Sequence, residues 1–326
     1  MILESNELRN YISGAVDFEE NDGLIPYRFT KQKIENAEEG YDKIRHLTGS
    51  GIKIDFYSDT ESVCFDYIAF IPENTLETYR HYFFDIYCDG KLLLHQGEQD
   101  ITGIRQGRVS ANFGDGMKHI IIYIPNSCSV KISDFCVDNG AVLKKNEYSK
   151  NVFFFGDSIT HAAYPCFPSL TYTSIVSKRL NYNAVNQAIG GDIFDKKHLS
   201  FMPDFKPDII FVAYGTNDWK GANETCSENA DEYFSELVNL YKDAEVNVIL
   251  PIWRKDMDDF PHLKNSFTDI RNIIRETAEK YNFNVIDGFD FVPRIEKLYF
   301  DGFLHPNEMG FTFYADSLEK WIKGDI

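Results

Sequence analysis

The chain has 326 residues, long for one ordinary domain and short for three, so two domains are expected. Its 33 Lys and Arg stand against 51 Asp and Glu, a formal net charge of −18. That balance argues against nucleic-acid partners and anionic membranes, both of which need a basic face. With 43% hydrophobic and 26% charged residues the composition is globular, which argues against extensive disorder.

The acidity is even, net −8 through Lys145 and −10 beyond it. The opening stretch MILESNELRN carries acids where a signal peptide would carry basic and then apolar residues. No apolar run approaches the roughly 20 residues of a membrane span. Six scattered cysteines without CxxC pairs read as buried thiols more than as disulfides. A cytoplasmic location is expected, or a secreted one if a leader has been removed.

In chain order, the first ~145 residues carry the period of two that marks strands. Ser62–Phe70 and Arg80–Cys88 are rich in aromatic and β-branched residues. Asp89-Gly90 then predicts a two-residue hairpin into Lys91–His95, because glycine tolerates positive φ. His119–Ile124 and Val130–Val137 follow as strands, with Pro125-Asn126-Ser127 turning between them. Short strands with no helical stretch between them suggest an antiparallel β-sandwich of jelly-roll type over residues 1–147.

A polar stretch, Lys144–Lys150, marks the boundary, and residues 148–326 read differently. Val152–Phe155 is a wholly apolar strand, Ile209–Tyr214 and Val246–Pro251 are further apolar strands, and shorter ones lie at Asn183–Val185 and Asn284–Ile286. Helices are expected over Leu170–Leu180, Ala230–Tyr241, Phe267–Tyr281 and from Glu308 to Ile322. Apolar strands alternating with helices mean a parallel sheet in a three-layer α/β/α, flavodoxin-like domain. Chemistry then belongs beyond the carboxyl ends of the strands.

Four segments stand at such ends. Gly156-Asp157-Ser158-Ile159 offers a hydroxyl and an N–H in a tight turn, although alone it reads equally well as a helix cap. Asn186–Asp192 holds the pair Gly190-Gly191, which exposes backbone N–H groups or simply turns the chain. Gly215-Thr216-Asn217-Asp218 presents an amide donor, or an Asx turn. Asp301-Gly302-Phe303-Leu304-His305 places a histidine ahead of a helix with an acid four residues before it. Singly each has a bland explanation; in this order, at these ends, capping explains them poorly.

These residues resemble the SGNH (GDSL-type) hydrolase family, whose name comes from Ser, Gly, Asn and His in four such blocks. The matches are Ser158, Gly191, Asn217 and His305, from about Asn151 onward. The resemblance implies Ser158 as nucleophile, His305 as its base and Asp301 as orienting acid. It also implies an oxyanion hole from the N–H groups of Ser158 and Gly191 and the side chain of Asn217. The family commonly spaces the last block D-x-x-H, whereas here one more residue intervenes. That insertion either bulges outward and leaves Asp301 on His305, or leaves a Ser–His dyad steered by a backbone carbonyl. Asp157 is expected to brace the nucleophile turn.

Trp219, Trp253 and Arg254 are candidate substrate contacts, by sugar stacking or polar recognition, or else packing residues. A sandwich ahead of an SGNH domain is similar to the second carbohydrate esterase family. That implies a serine esterase removing acetyl or another short acyl group from a saccharide, with a small-molecule or oligosaccharide ester as substrate. No cofactor or metal is implied, since HExxH-like spacing is missing. Two other readings stay open: a lysophospholipase or thioesterase-type acylhydrolase, and a carbohydrate-binding protein with a dead hydrolase domain. The sandwich could bind sugar, shield the cleft or form a homo-oligomer surface.

Overall fold

The computed structural model describes residues 1–73, 75–258 and 266–325. The chain divides into two compact units: Met1–Tyr148 with Ala163–Ser169, and Ser149–Ala162 with Leu170–Ile326.

The first unit holds twelve strands among its described residues. They are β1 (Ile2–Leu3), β2 (Ile12–Ser13), β3 (Asp17–Glu20), β4 (Leu24–Tyr27), β5 (Lys53–Ser58) and β6 (Ser62–Ile71). Then come β7 (His81–Cys88), β8 (Lys91–Gln99), β9 (Gly103–Asn112), β10 (Lys118–Tyr123), β11 (Ser129–Val137) and β12 (Leu143–Lys145). One antiparallel sheet runs β3-β4-β11-β6-β9 with β1 on β11; the other runs β12-β5-β10-β7-β8 with β2 on β5. Alternate residues of both sheets, among them Phe56, Phe65, Phe84, Ile122 and Phe135, bury into one shared core, as the sandwich reading expects. Asp89 and Gly90, at φ 47° and 78°, make the anticipated hairpin turn and pair Cys88 with Lys91.

Three short helices correct the expectation of strands alone: α1 (Ser5–Leu8), α2 (Lys31–Asn36) and α3 (Tyr41–Leu47). Each is too short to show a full apolar stripe, so periodicity missed them. Strand β9 was missed because only Val109 and Ala111 face the core from this edge. Segment 163–169 also belongs to this unit. There Asp85, wholly buried, accepts from the Ser169 amide and hydroxyl at 3.0 and 2.5 Å and from His95 Nδ1 at 2.7 Å. The Phe167 ring stacks on His95 at 3.7 Å.

In the second unit β13 (Lys150–Gly156), β14 (Tyr182–Asn186), β15 (Ile209–Ala213), β16 (Glu245–Ile249) and β17 (Asn284–Ile286) form a parallel sheet. Its order is β14-β13-β15-β16-β17. The helices are α4 (Ser158–His161), α5 (Tyr172–Leu180), α6 (Asn223–Leu240), α7 (Phe267–Lys280) and α8 (Glu308–Lys323). Strand β13 shows why its run is continuously apolar. Phe154 meets Tyr172 of α5 on one face, while Phe153 and Phe155 meet Tyr241 and Tyr233, at the end of α6 and within it, on the other. Each buried phenylalanine contributes roughly 1.5–3 kcal/mol. The order reverses at β13, where the chain goes first to β14 and then to β15 on the opposite side. A crevice therefore opens at the carboxyl ends of these three strands.

Candidate active site

Those three ends carry the first three blocks. At the end of β13 the chain cannot carry a side chain at Gly156, because a Cβ would strike Thr160 Oγ1 and lie 2.8 Å from the Ala213 carbonyl. Asp157 then caps α4, accepting from the Ile159 amide at 3.0 Å. This tight entry sets Ser158, 7% exposed, on the first turn of α4.

The Ser158 hydroxyl lies 2.8 Å from His305 Nε2, and His305 Nδ1–H donates to Asp301 Oδ2 at 2.6 Å. The longer spacing of the last block leaves this contact intact. Gly302, at φ 78°, bends the chain so that the amides of Phe303, Leu304 and His305 all donate to Asp301 Oδ1, at 3.1, 2.8 and 3.1 Å. A bridge between Tyr299 and Pro306 ties the base of the loop. Burial pushes the Asp301 carboxyl up, but the His305 hydrogen bond and the Leu304 and Phe303 amides outweigh it, holding it at about 2.

Gly191 follows β14 at φ 89°, a conformation that favours glycine. Its neighbour Gly190 donates its N–H to Nδ1 of His161, a fully buried residue at the end of α4. Asn186 adds a second tie, donating to the Thr160 carbonyl at 2.8 Å and accepting from the Ala188 amide at 3.0 Å. The glycine turn is thus bonded to the helix that bears Ser158. Asn217, after β15, donates through Nδ2 to the Asp192 carbonyl at 2.8 Å, which fixes the plane of its amide. The amide has a second N–H, so one donor remains for a ligand. Gly215, at φ 117°, has Pro251 Cγ 2.7 Å from where a Cβ would be.

His161 and Asn186 are positioning groups that the sequence did not single out. A signal existed for His161, which stands three residues after Ser158 and hence beside it on one helical turn.

Of the two readings open for Trp219, Trp253 and Arg254, substrate contact or packing, burial favours packing at Trp219 and Arg254. Trp219 is 1% exposed, its ring edge-on to Phe267 at 5.4 Å and covered by the Arg254 guanidinium at 4.7 Å. Arg254 is equally buried, bonded to Asp256 at 2.5 and 2.6 Å and to the Thr216 carbonyl at 3.0 Å. Neither presents a free face to a sugar; together they hold the Thr216-Asn217 turn. Trp253 is half-buried against Tyr299, ring centres 5.5 Å apart, and supports the loop of Asp301 and His305. Packing wins at these positions because a large ring gains more from burial than from one exposed contact. Among the described residues no three His, Cys, Asp or Glu side chains are arranged to hold a metal ion.

In the turn that bears Ser158, burial raises the Asp157 carboxyl to about 7, with the charges of Asp218 and Asp192 adding to it and the Ile159 amide opposing. Asp218 is raised by burial to about 6. Unfolded, Asp157 titrates near 3.8, so its contribution to stability is complete below that value and lost as pH rises through 7. The loss is roughly 4 kcal/mol in all, of which about 2 to 3 kcal/mol falls between pH 5 and 8. Asp157→Asn keeps the capping oxygen and removes the titration. Urea unfolding of the second unit at pH 5 and 8 should therefore show a smaller loss in the variant than in the wild type. Equal losses would mean that Asp157 titrates normally.

Residues 154–312 match the family model of the GDSL-like lipase/acylhydrolase family. No curated protein matches the chain by sequence. Among solved structures, the salicylyl-acyltransferase SsfX3 from a tetracycline biosynthetic pathway superposes with a TM-score of 0.81 at 20% identity, covering 96% of this chain and 94% of its own. A family two carbohydrate esterase from Clostridium thermocellum, in complex with cellohexaose, gives 0.64 at 14% identity, over 96% and 98%. An acetyl xylan esterase from the rumen bacterium Butyrivibrio proteoclasticus gives 0.65 at 12% identity, over 100% and 99%. At such identities these likenesses concern the fold, which all three share with this chain over both units. Residues 154–312, which run from strand β13 through the Ser158 turn to the last helix, thus carry a GDSL-like lipase/acylhydrolase domain.

Proposed function

We propose that this esterase removes acetyl or another short acyl group from saccharides by Ser-His-Asp catalysis. The observation that carries the mechanism is the unbroken line from Ser158 Oγ through His305 to Asp301. Ser158 attacks the ester carbonyl while His305 Nε2 takes its proton and then returns it to the departing alcohol. The resulting acyl-enzyme is cleaved by water, activated by the same histidine. Asp301, ionised at any physiological pH, fixes the histidine tautomer and stabilises the imidazolium. The N–H groups of Ser158 and Gly191 and the free N–H of Asn217 receive the oxyanion.

Asn217→Ala should lower kcat on p-nitrophenyl acetate by about 10²–10³-fold with little change in KM. An unaltered kcat would remove Asn217 from the oxyanion hole.

The saccharide part of the reading draws support from the end-to-end fold shared with the two carbohydrate esterases. The charge of −18 suits neutral esters and disfavours anionic ones. A panel of acetylated oligosaccharides tests it, with Ser158→Ala as the control for acetate release. Acetate release from at least one sugar, and faster turnover of p-nitrophenyl acetate than of the palmitate ester, is the expected result. Faster palmitate turnover would favour the lysophospholipase-type reading instead. The fold likeness to SsfX3 favours a second outcome, transfer of the acyl group to an alcohol acceptor rather than to water. Ester products formed in the presence of added alcohols would reveal it.

A further inference from the structure

Two cysteines far apart in sequence lie directly opposite one another in the first unit. Cys64 of β6 and Cys136 of β11 are register partners in an antiparallel pair. Burial alternates along β6, with Val63 and Phe65 facing the core and Cys64 the outer face, and Cys136 is likewise half-exposed. Opposed residues in antiparallel strands have Cα atoms about 4.5 or 5.5 Å apart, and both values lie within the span of a disulfide. Both sulfurs are thiols in this structure, and the expectation of buried thiols holds only for Cys128 and Cys226, the other four lying half-exposed. The strand β11 has a bulge between Ser133 and Cys136, with Asp134 at φ 47°, and the Cys136 thiol donates to the Asp134 carbonyl at 3.1 Å. The other four cysteines have no such partner position across a ladder among the described residues.

We propose that Cys64 and Cys136 form a dithiol site that reacts with low-molecular-weight disulfides, of the glutathione type, to close a cross-strand disulfide on the outer face of the sandwich. Burial pushes the Cys136 thiol up, and Cys64 within hydrogen-bond reach adds to the effect. In one order of attack, Cys64 is the nucleophile. Its thiolate displaces one thiolate from the small disulfide and forms a mixed disulfide. Cys136 then loses its proton, attacks the Cys64 sulfur and expels the second small thiolate. The net change turns two protein thiols and one small disulfide into one protein disulfide and two small thiols. The positive charge of Arg108, which pairs with Asp66 at 3.1 Å on the adjoining strand, eases ionisation of the Cys136 thiol.

The bridge would close a loop of roughly seventy residues, so it should also stabilise the sandwich by restricting its unfolded state. The full chain, fully reduced, is equilibrated with oxidised glutathione, blocked with N-ethylmaleimide and digested. The expected product is a peptide pair joined through Cys64 and Cys136, a fall from six to four titratable thiols, and a higher Tm for the first unit. In Cys64→Ser and in Cys136→Ser the bridge cannot form, and the remaining cysteine of the pair should retain a glutathione adduct. Complete alkylation of both cysteines after equilibration, or a separate glutathione on each in the wild type, would overturn the proposal. The measurement uses no esterase activity and stands apart from the reading of the Ser158 site.

Discussion

Ser158→Ala should lower kcat on p-nitrophenyl acetate by at least about 10⁴-fold while leaving the protein folded. The size follows from the chemistry, since without the hydroxyl no acyl-enzyme forms and only the oxyanion donors and binding remain. The substitution removes one oxygen from a residue whose backbone is already fixed by the Asp157 cap and the Ala162 N–H to Ser158 carbonyl bond at 3.0 Å. Stability should therefore change little. A fluorophosphonate probe gives a second reading of the same point, because it should label the wild type at Ser158 and leave the variant unlabelled. A variant with more than a tenth of the wild-type rate would remove Ser158 from the role of nucleophile. Failure of the folded wild type to take the probe would revive the non-catalytic reading.

Asp301→Asn should cost about as much, near 10⁴-fold in kcat at neutral pH, and the reason lies in three backbone amides. The amides of Phe303, Leu304 and His305 all point at Oδ1 of Asp301. In the asparagine variant only the carbonyl oxygen can accept from them, so the NH₂ group must occupy the place of Oδ2. It then donates to His305 Nδ1, which forces the proton onto Nε2, facing Ser158. A histidine in that tautomer cannot accept the serine proton. Side-chain ¹⁵N shifts of His305 would show the exchanged tautomer, and pH–rate profiles would show the lost rate. Retention of the wild-type tautomer with near wild-type kcat would mean that the extra residue of this block has made Asp301 dispensable. The same low pKa bears on stability: the contribution of Asp301 is present above its unfolded value of 3.8 and is lost as pH falls through about 2.

Much of this was legible in the sequence because the signals are local. The run Val152–Phe155 could only be a strand buried on both faces, and the turns that follow β13, β14 and β15 carry Gly, Ser and Asn where a parallel sheet concentrates its chemistry. Ser158 and His305 were named from such turns, and they meet at 2.8 Å across 147 residues of chain. The alternation of Ser62–Phe70 and the Asp89-Gly90 turn likewise announced the sandwich.

What remained depended on partners distant in the chain. Whether Asp301 reaches His305 across one extra residue depended on Gly302 adopting positive φ and three amides converging on one oxygen, which no spacing rule contains. By place in the chain Trp219 and Arg254 stood open between substrate contact and packing, and Phe267 and Asp256 bury them. The placement of residues 163–169 in the first unit, and of Cys64 opposite Cys136, follows from buried hydrogen bonds and ladder register. The sequence by itself determined the element types, the two textures and the chemistry-bearing turns, because propensity and period act within a few residues. Only the tertiary structure decided which side chains are free to meet a ligand, because burial and hydrogen-bond satisfaction are set by neighbours far away in the chain.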